Sequence, residues 1–194
     1  MQLKKVFASA TLVIATAFGV VGQAVAQELL TGDTRYACEA ILCLSTGSRP
    51  SECQPSLTRY FSIHKRKLSD TLKARGNFLK LCPASNQTPE MESLVSAISS
   101  GAGRCDAASL NTSLRSWRGW DDTFYIGNEL PDYCGSYTGH AYTDFKTTLP
   151  RYVGTPGEGG YWVEAADYER ALKEYEARQR GQQRGRNDYG RFDR

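Results

Sequence analysis

A mostly α-helical, small disulfide-stabilised domain is the fold this sequence predicts, with an aromatic, turn-rich, irregular second half and a C-terminal helix. Three observations carry it. Apolar residues recur at steps of three and four through the first half, which is the spacing of helical faces. Six cysteines, at positions 38, 43, 53, 82, 105 and 134, follow an export-type N-terminus. Thirteen of the 21 aromatic residues fall between Trp117 and Tyr175, among closely spaced glycines and prolines.

The chain opens with Lys4 and Lys5, a mostly apolar run from Val6 to about Val21, and Ala24-Val25-Ala26. A charged start, a short apolar stretch and a small-x-small site are the parts of a secretory signal peptide. Residues 1–26 are therefore expected to be removed after Ala26, leaving 27–176 as a single domain and 177–194 as an Arg-rich tail. The apolar run is short for a bilayer span of about 20 residues and contains Ser9, Thr11 and Thr16. The mature protein is expected to be periplasmic and without a transmembrane segment.

Asp33 suits the N-cap of a short helix through TRYACEAILCLS, with Gly47 just beyond its end. SRPSECQP reads as a turn, and Pro55 fits a first helical turn. Leu57, Phe61, His64, Leu68, Leu72, Arg75, Leu79 and Cys82 then fall on one helical face, with Gly76 and Ser69 marking a possible kink. Thr88 and Pro89 restart a helix that ends at Gly101-Ala102-Gly103, and another runs from Asp106 to Leu114. From Trp117 on the chain reads as irregular, with TFYI and GYWV as brief extended pieces. A helix from about Ala165 to Gln179 follows, its apolar face made of Tyr168, Ala171, Leu172 and Tyr175. Few apolar residues remain in RGQQRGRNDYGRFDR, so the tail is expected to be disordered.

Export to an oxidising compartment makes disulfides the expected state of all six cysteines. Their even number and the lack of a Cys-x-x-Cys pair favour a framework over zinc or redox chemistry. Spacing alone leaves the connectivity open, and geometry ranks the choices. Cys38 and Cys43 lie about 140° apart on a helix and should not pair. Cys43 and Cys53 flank a turn, and Cys82 and Cys105 flank a predicted helix. The resulting expectation is Cys43 with Cys53, Cys82 with Cys105, and Cys38 with Cys134.

Charge narrows the partner class. Removing Lys4 and Lys5 takes the formal charge from +3 to +1. Six arginines against two aspartates from Ala177 onward leave a mildly acidic body. Direct nucleic-acid binding by the folded body is not expected.

Chemical candidates cluster in NELPDYCGSYTGHAYTDF, Asn128 to Phe145. Cys134 beside His140 could be an activated nucleophile, but a bridged cysteine has no thiol to offer. His140 and Asp144 are too few for a zinc site, since the other histidine, His64, is far away. Asp121 with Asp122, and Glu129 with Asp132, could act as acid and base on a glycan, although loop carboxylates more often make turns. Neither a catalytic residue nor a metal or other cofactor is expected. The aromatic residues Trp117, Trp120, Tyr133, Tyr137, Tyr142, Tyr161 and Trp162 are the candidate interaction surface, because Tyr and Trp combine an apolar body with a polar tip.

Five stretches carry a family resemblance: CEAILCLSTGSRPSEC from Cys38, LTRYFSIHKRK from Leu57, RCDAASLN from Arg104, IGNELPDYCGSYTGHAYTDF from Ile126 and YVGTPGEGGYWVEAADYERAL from Tyr152. Over about residues 30 to 176 the chain resembles the TrbM family of conjugal transfer proteins, which includes KikA-type proteins. The resemblance implies an exported protein of Gram-negative bacteria, carried on a conjugative plasmid or integrated element, that works with mating-pair formation and its type IV secretion apparatus. Its partners would be protein components of that apparatus or of the envelope. No catalytic motif comes with the family. A non-catalytic accessory is the leading expectation, and a peptidoglycan-acting hydrolase or an envelope-perturbing toxin is the alternative.

Overall fold

The computed structural model describes residues 31–119 and 123–192. The signal peptide expected over 1–26 and Trp120 both lie outside the described residues. Among the described residues the helices are α1 (Gly32–Leu44), α2 (Gln54–Phe61), α3 (Leu68–Leu79), α4 (Pro89–Gly101), α5 (Ala107–Ser113), α6 (Asp132–Thr138) and α7 (Tyr168–Phe192). Two antiparallel hairpins join them: β1 (Arg115–Arg118) with β2 (Thr123–Ile126), and β3 (Arg151–Val153) with β4 (Tyr161–Val163). The fold is mostly α, as expected.

Local chemistry explains most boundaries. Thr88 Oγ1 accepts the Met91 N–H, with Pro89 in the first turn of α4. Asp106 Oδ1 accepts the Ser109 N–H at the start of α5. Asp33 is not the cap of α1. The helix begins one residue before it, and the Asp33 carboxylate instead receives two hydrogen bonds from Arg59 of α2, at 2.9 and 2.7 Å. That guanidinium holds the Asp33 carboxyl below the usual range.

The single helical face expected from Leu57 to Cys82 is two helices. The chain breaks between Phe61 and Leu68, where Thr71 Oγ1 accepts the Lys65 N–H at 2.9 Å. Arg75 donates to the carbonyls of Ile63 and Phe61, at 3.2 and 3.4 Å, near the end of α2. These bonds supply partners that a continuous helix would have provided, so the break costs little. It also changes which residues are inside: Leu68, on the expected face, is exposed, while Phe78, off that face, is buried beside Leu79.

The main core is made by Ala37, Ile41 and Leu44 of α1, Tyr60 of α2, Leu79 of α3, Leu94 and Ile98 of α4, and Leu110 of α5. Helix α6 packs against α4 at a glycine. A methyl group on Gly101 would lie 2.5 Å from Tyr137 Cβ, so only glycine permits this approach. A smaller core of Val153, Val163, Ala171 and Tyr175 lies between the second hairpin and α7. Strand β4 joins the two, because side chains alternate along a strand: Trp162 belongs to the main core and Val163 to the small one.

All six cysteines are bridged, and Cys43–Cys53 pairs as its spacing suggested. The other two pairs differ from the expected connectivity. Cys38 bonds Cys82, and Cys105 bonds Cys134. Cys82 and Cys105 sit beyond opposite ends of α4, whose 13 residues span about 20 Å. Disulfide-bonded Cα atoms are only about 5 to 6 Å apart, so the helix holds those two cysteines apart unless a flanking segment folds back along it, and neither does. Each is then free for a neighbouring element, and Cys38–Cys134 no longer follows.

The tail also differs. Residues expected to be disordered from Ala177 onward continue α7 as far as Phe192. Arg180 pairs with Glu176 at 3.6 Å, and the Gln179 side chain donates to the Glu158 carbonyl at 3.0 Å, so favourable contacts cross the expected boundary. Arginine and glutamine are themselves good helix formers.

Candidate interaction surface

The first hairpin follows α5 without an intervening loop. Its register sets Arg115 opposite Ile126, Ser116 opposite Tyr125, Trp117 opposite Phe124 and Arg118 opposite Thr123. Residues directly opposite share a face, so Arg115, Trp117, Phe124 and Ile126 form one side. Ile126 packs on the main core. Further out along the same face, Trp117 is 66% exposed and Phe124 47% exposed. Their rings meet edge to face with centroids 6.2 Å apart. The Arg115 guanidinium lies 3.6 Å from the Phe124 ring centroid and 5.5 Å from that of Trp117, within cation–π range.

The root of this hairpin is clamped. Gly127 N–H donates to the Leu114 carbonyl at 3.0 Å. The Tyr152 hydroxyl donates to the Ile126 carbonyl at 2.7 Å, and the Trp162 indole N–H to the Gly127 carbonyl at 2.8 Å. Tyr152 and Trp162 are cross-strand partners with rings edge to face at 5.4 Å. The clamp is itself fixed to α5. The Asn111 side chain exchanges two hydrogen bonds, both 2.8 Å, with the Trp162 backbone, and Glu164 Oε1 accepts the Ala107 N–H at 2.8 Å.

Of the seven aromatic residues expected to form one surface, the six that are described divide. Trp117 is exposed on the hairpin, and Tyr142 is exposed elsewhere, against His140 with ring centroids 5.7 Å apart. Tyr133 is half-buried under Arg104, whose guanidinium is 3.6 Å from its ring. Tyr137 is buried, donates to the Leu44 carbonyl, and has its hydroxyl pushed up to about 12 by burial, with Arg49 opposing the shift. Tyr161 is half-buried against the small core, and Trp162 is buried in the main one. Tyr137 and Trp162 are thus structural, because desolvated rings need their polar tips paired.

Two residues of the hairpin face, Arg115 and Phe124, are not among the expected surface residues. A signal for them exists: RSWR and TFYI are short runs separated by Gly119-Trp120-Asp121-Asp122, the pattern of strand, turn and strand. The chemical candidates are not drawn together. Cys134 is in a disulfide. His140 Nδ1 accepts the Tyr142 N–H at 3.1 Å. Glu129 and Asp132 are exposed, Asp132 in the first turn of α6. Asp121 and Asp122 lie outside the described residues. Among the described residues no cluster of three or more His, Cys, Asp or Glu side chains is arranged to hold a metal ion.

A family model described as TrbM matches residues 29–176. The chain belongs to the TrbM family. That membership gives the protein a conjugal-transfer-related role. No curated protein and no solved structure matches the chain. The TrbM match contains the hairpin, its clamp and all three disulfides, and it stops inside α7 at residue 176.

Proposed function

We propose that this TrbM protein is an exported, non-catalytic accessory of conjugation that binds a component of the envelope or of the type IV secretion apparatus through the 115–126 hairpin. The observation that carries this reading is the exposed Trp117–Phe124 pair on a root fixed by three hydrogen bonds. Exposed aromatic and arginine side chains on a rigid support are what partner-binding hot spots are made of. Preorganisation matters because ordering a loose hairpin on binding would subtract from affinity.

Export is supported by the three disulfides, which persist in oxidising compartments. Among the described residues no helix is long and apolar enough to cross a membrane. The non-catalytic reading is supported by the bridge at Cys134, which removes the thiol, and by the solvent-facing positions of Glu129 and Asp132.

Transfer frequency tests it. Trp117→Ala and Phe124→Ala should each lower mating efficiency and weaken recovery of a transfer component, by about ten-fold per hot-spot residue, without changing the disulfides or helix content. Unchanged transfer with both substitutions combined would sink the reading. Clearing of peptidoglycan in a zymogram, abolished by Glu129→Gln, would establish an enzyme instead.

A further inference from the structure

The hairpin has two edges, and they are not alike. Gly127 N–H bonds the Leu114 carbonyl, so residues 114 and 127 form a hydrogen-bonded pair at the root. Antiparallel pairs alternate between bonded and non-bonded. With the observed register, Ser116 and Tyr125 are therefore a bonded pair, whereas Arg115–Ile126 and Trp117–Phe124 are non-bonded pairs. The backbone N–H and C=O groups of Arg115 and Trp117 on one strand, and of Phe124 and Ile126 on the other, consequently point away from the hairpin. On the β2 side the Ile126 carbonyl is already taken by the Tyr152 hydroxyl. On the β1 side Arg115, Ser116 and Trp117 are all exposed.

We propose that the β1 edge accepts an extended segment of a partner protein as a third strand, and that this segment carries an acidic residue beside Arg115 and an apolar residue two positions along, beside Trp117. The proposal rests on the binding role given to the hairpin above and specifies how binding occurs. An open edge strand presents a ready row of donors and acceptors, and strand addition uses these for affinity while alternate side chains give specificity. Charge complementarity selects the occupant. The Arg115 guanidinium lies over the Phe124 ring, and among the described residues it forms no ion pair. Its N–H groups remain available to a carboxylate, which an arginine stacked on a ring can still bind. A second copy of this chain on the same edge would bring another Arg115 instead of a carboxylate, which disfavours it.

A short capped peptide that alternates threonine with glutamate and valine is the probe, with the amide shifts of Arg115, Ser116 and Trp117 as the readout. Strand addition predicts saturable shifts at these three residues. Methylation of every second peptide amide should weaken binding by about ten-fold or more, the effect of losing two backbone hydrogen bonds. Lysine in place of glutamate should weaken it by about five-fold or more. Equal affinity for the methylated peptide would overturn the proposal, as would a protein that dimerises through this edge without peptide.

In cells, Trp117→Pro compared with Trp117→Ala separates this idea from the broader one. Residue 117 donates its N–H outward, a position where an edge strand tolerates proline. Strand addition predicts that Trp117→Pro recovers about five-fold less of the transfer component than Trp117→Ala, the equivalent of one further hydrogen bond. Equal losses would leave the hairpin as a binding surface and reject strand addition. No loss from either would reject the hairpin itself.

Discussion

Trp162→Phe should free the hairpin from the body while leaving the helical core folded. The substitution removes the indole N–H that lies 2.8 Å from the Gly127 carbonyl. Leaving that carbonyl without its donor costs about 1 to 3 kcal/mol. Trp162 is only 6% exposed, so replacing two fused rings by one also leaves a void, worth about a further 1 kcal/mol. A total of about 2 to 4 kcal/mol should appear as a lower urea midpoint with an unchanged slope. Hydrogen exchange then locates the loss. If the hairpin opens separately from the core, Ser116 and Tyr125 should exchange about 30-fold faster for 2 kcal/mol, with a urea dependence well below that of Ile98 in α4, which exchanges on global unfolding. Tyr152→Phe removes only the hydroxyl that reaches the Ile126 carbonyl and should cost about 1 kcal/mol. The two rings touch and their hydrogen bonds go to adjacent carbonyls, so the double variant should depart from additivity. The same urea dependence of exchange at Ser116, Tyr125 and Ile98 would refute the clamp as a local device. So would a change below about 0.5 kcal/mol, the range of surface substitutions.

Two further outcomes follow from the structure. Replacing Cys38 and Cys82 together by serine opens a bridge that spans 44 residues and should cost about 4 kcal/mol by loop entropy, against about 2.7 kcal/mol for the bridge between Cys43 and Cys53, as read from denaturation midpoints. Stability should also fall as pH rises from about 10 to about 12. Tyr137 keeps its proton up to about 12 when folded because it is buried, while an unfolded tyrosine loses it near 10. The folded state therefore binds more protons in that window, which favours unfolding as pH climbs. Tyr137→Phe should reduce this slope in alkaline denaturation curves, leaving the part due to Tyr60, which burial also raises, and an unaltered slope would contradict it.

The sequence revealed the local features well and the long-range ones poorly. Thr88-Pro89 and Asp106 marked helix starts because a cap and its helix are neighbours in the chain. TFYI and GYWV marked strands β2 and β4 because β-branched and aromatic residues cluster there. Their partners are weaker signals, since RSWR holds one such residue and RYV is only three residues long. The break after Phe61 was hidden for another reason. Helical periodicity continues across it, and only the tertiary bonds from Thr71 and Arg75 reveal that the chain turns. Disulfide pairing failed where it required the length and direction of α4.

The candidate surface shows the same division. An aromatic cluster was evident, but composition does not distinguish rings that face solvent from rings that support them. Trp117 and Trp162 have the same chemistry and opposite roles. What separates them is the alternation of β4 and the position of Asn111, which fixes the Trp162 backbone and directs its indole inward.

Site-specific photocrosslinking in mating-competent cells tests the hairpin most directly, with the photoreactive residue placed at Trp117, at Phe124, or at the control position Tyr142, whose exposure lies between theirs. An adduct with a component of the transfer apparatus is expected from Trp117 and Phe124, absent from Tyr142 and lost when the transfer genes are removed. Adducts from Tyr142 alone, or none from either hairpin position, would contradict it.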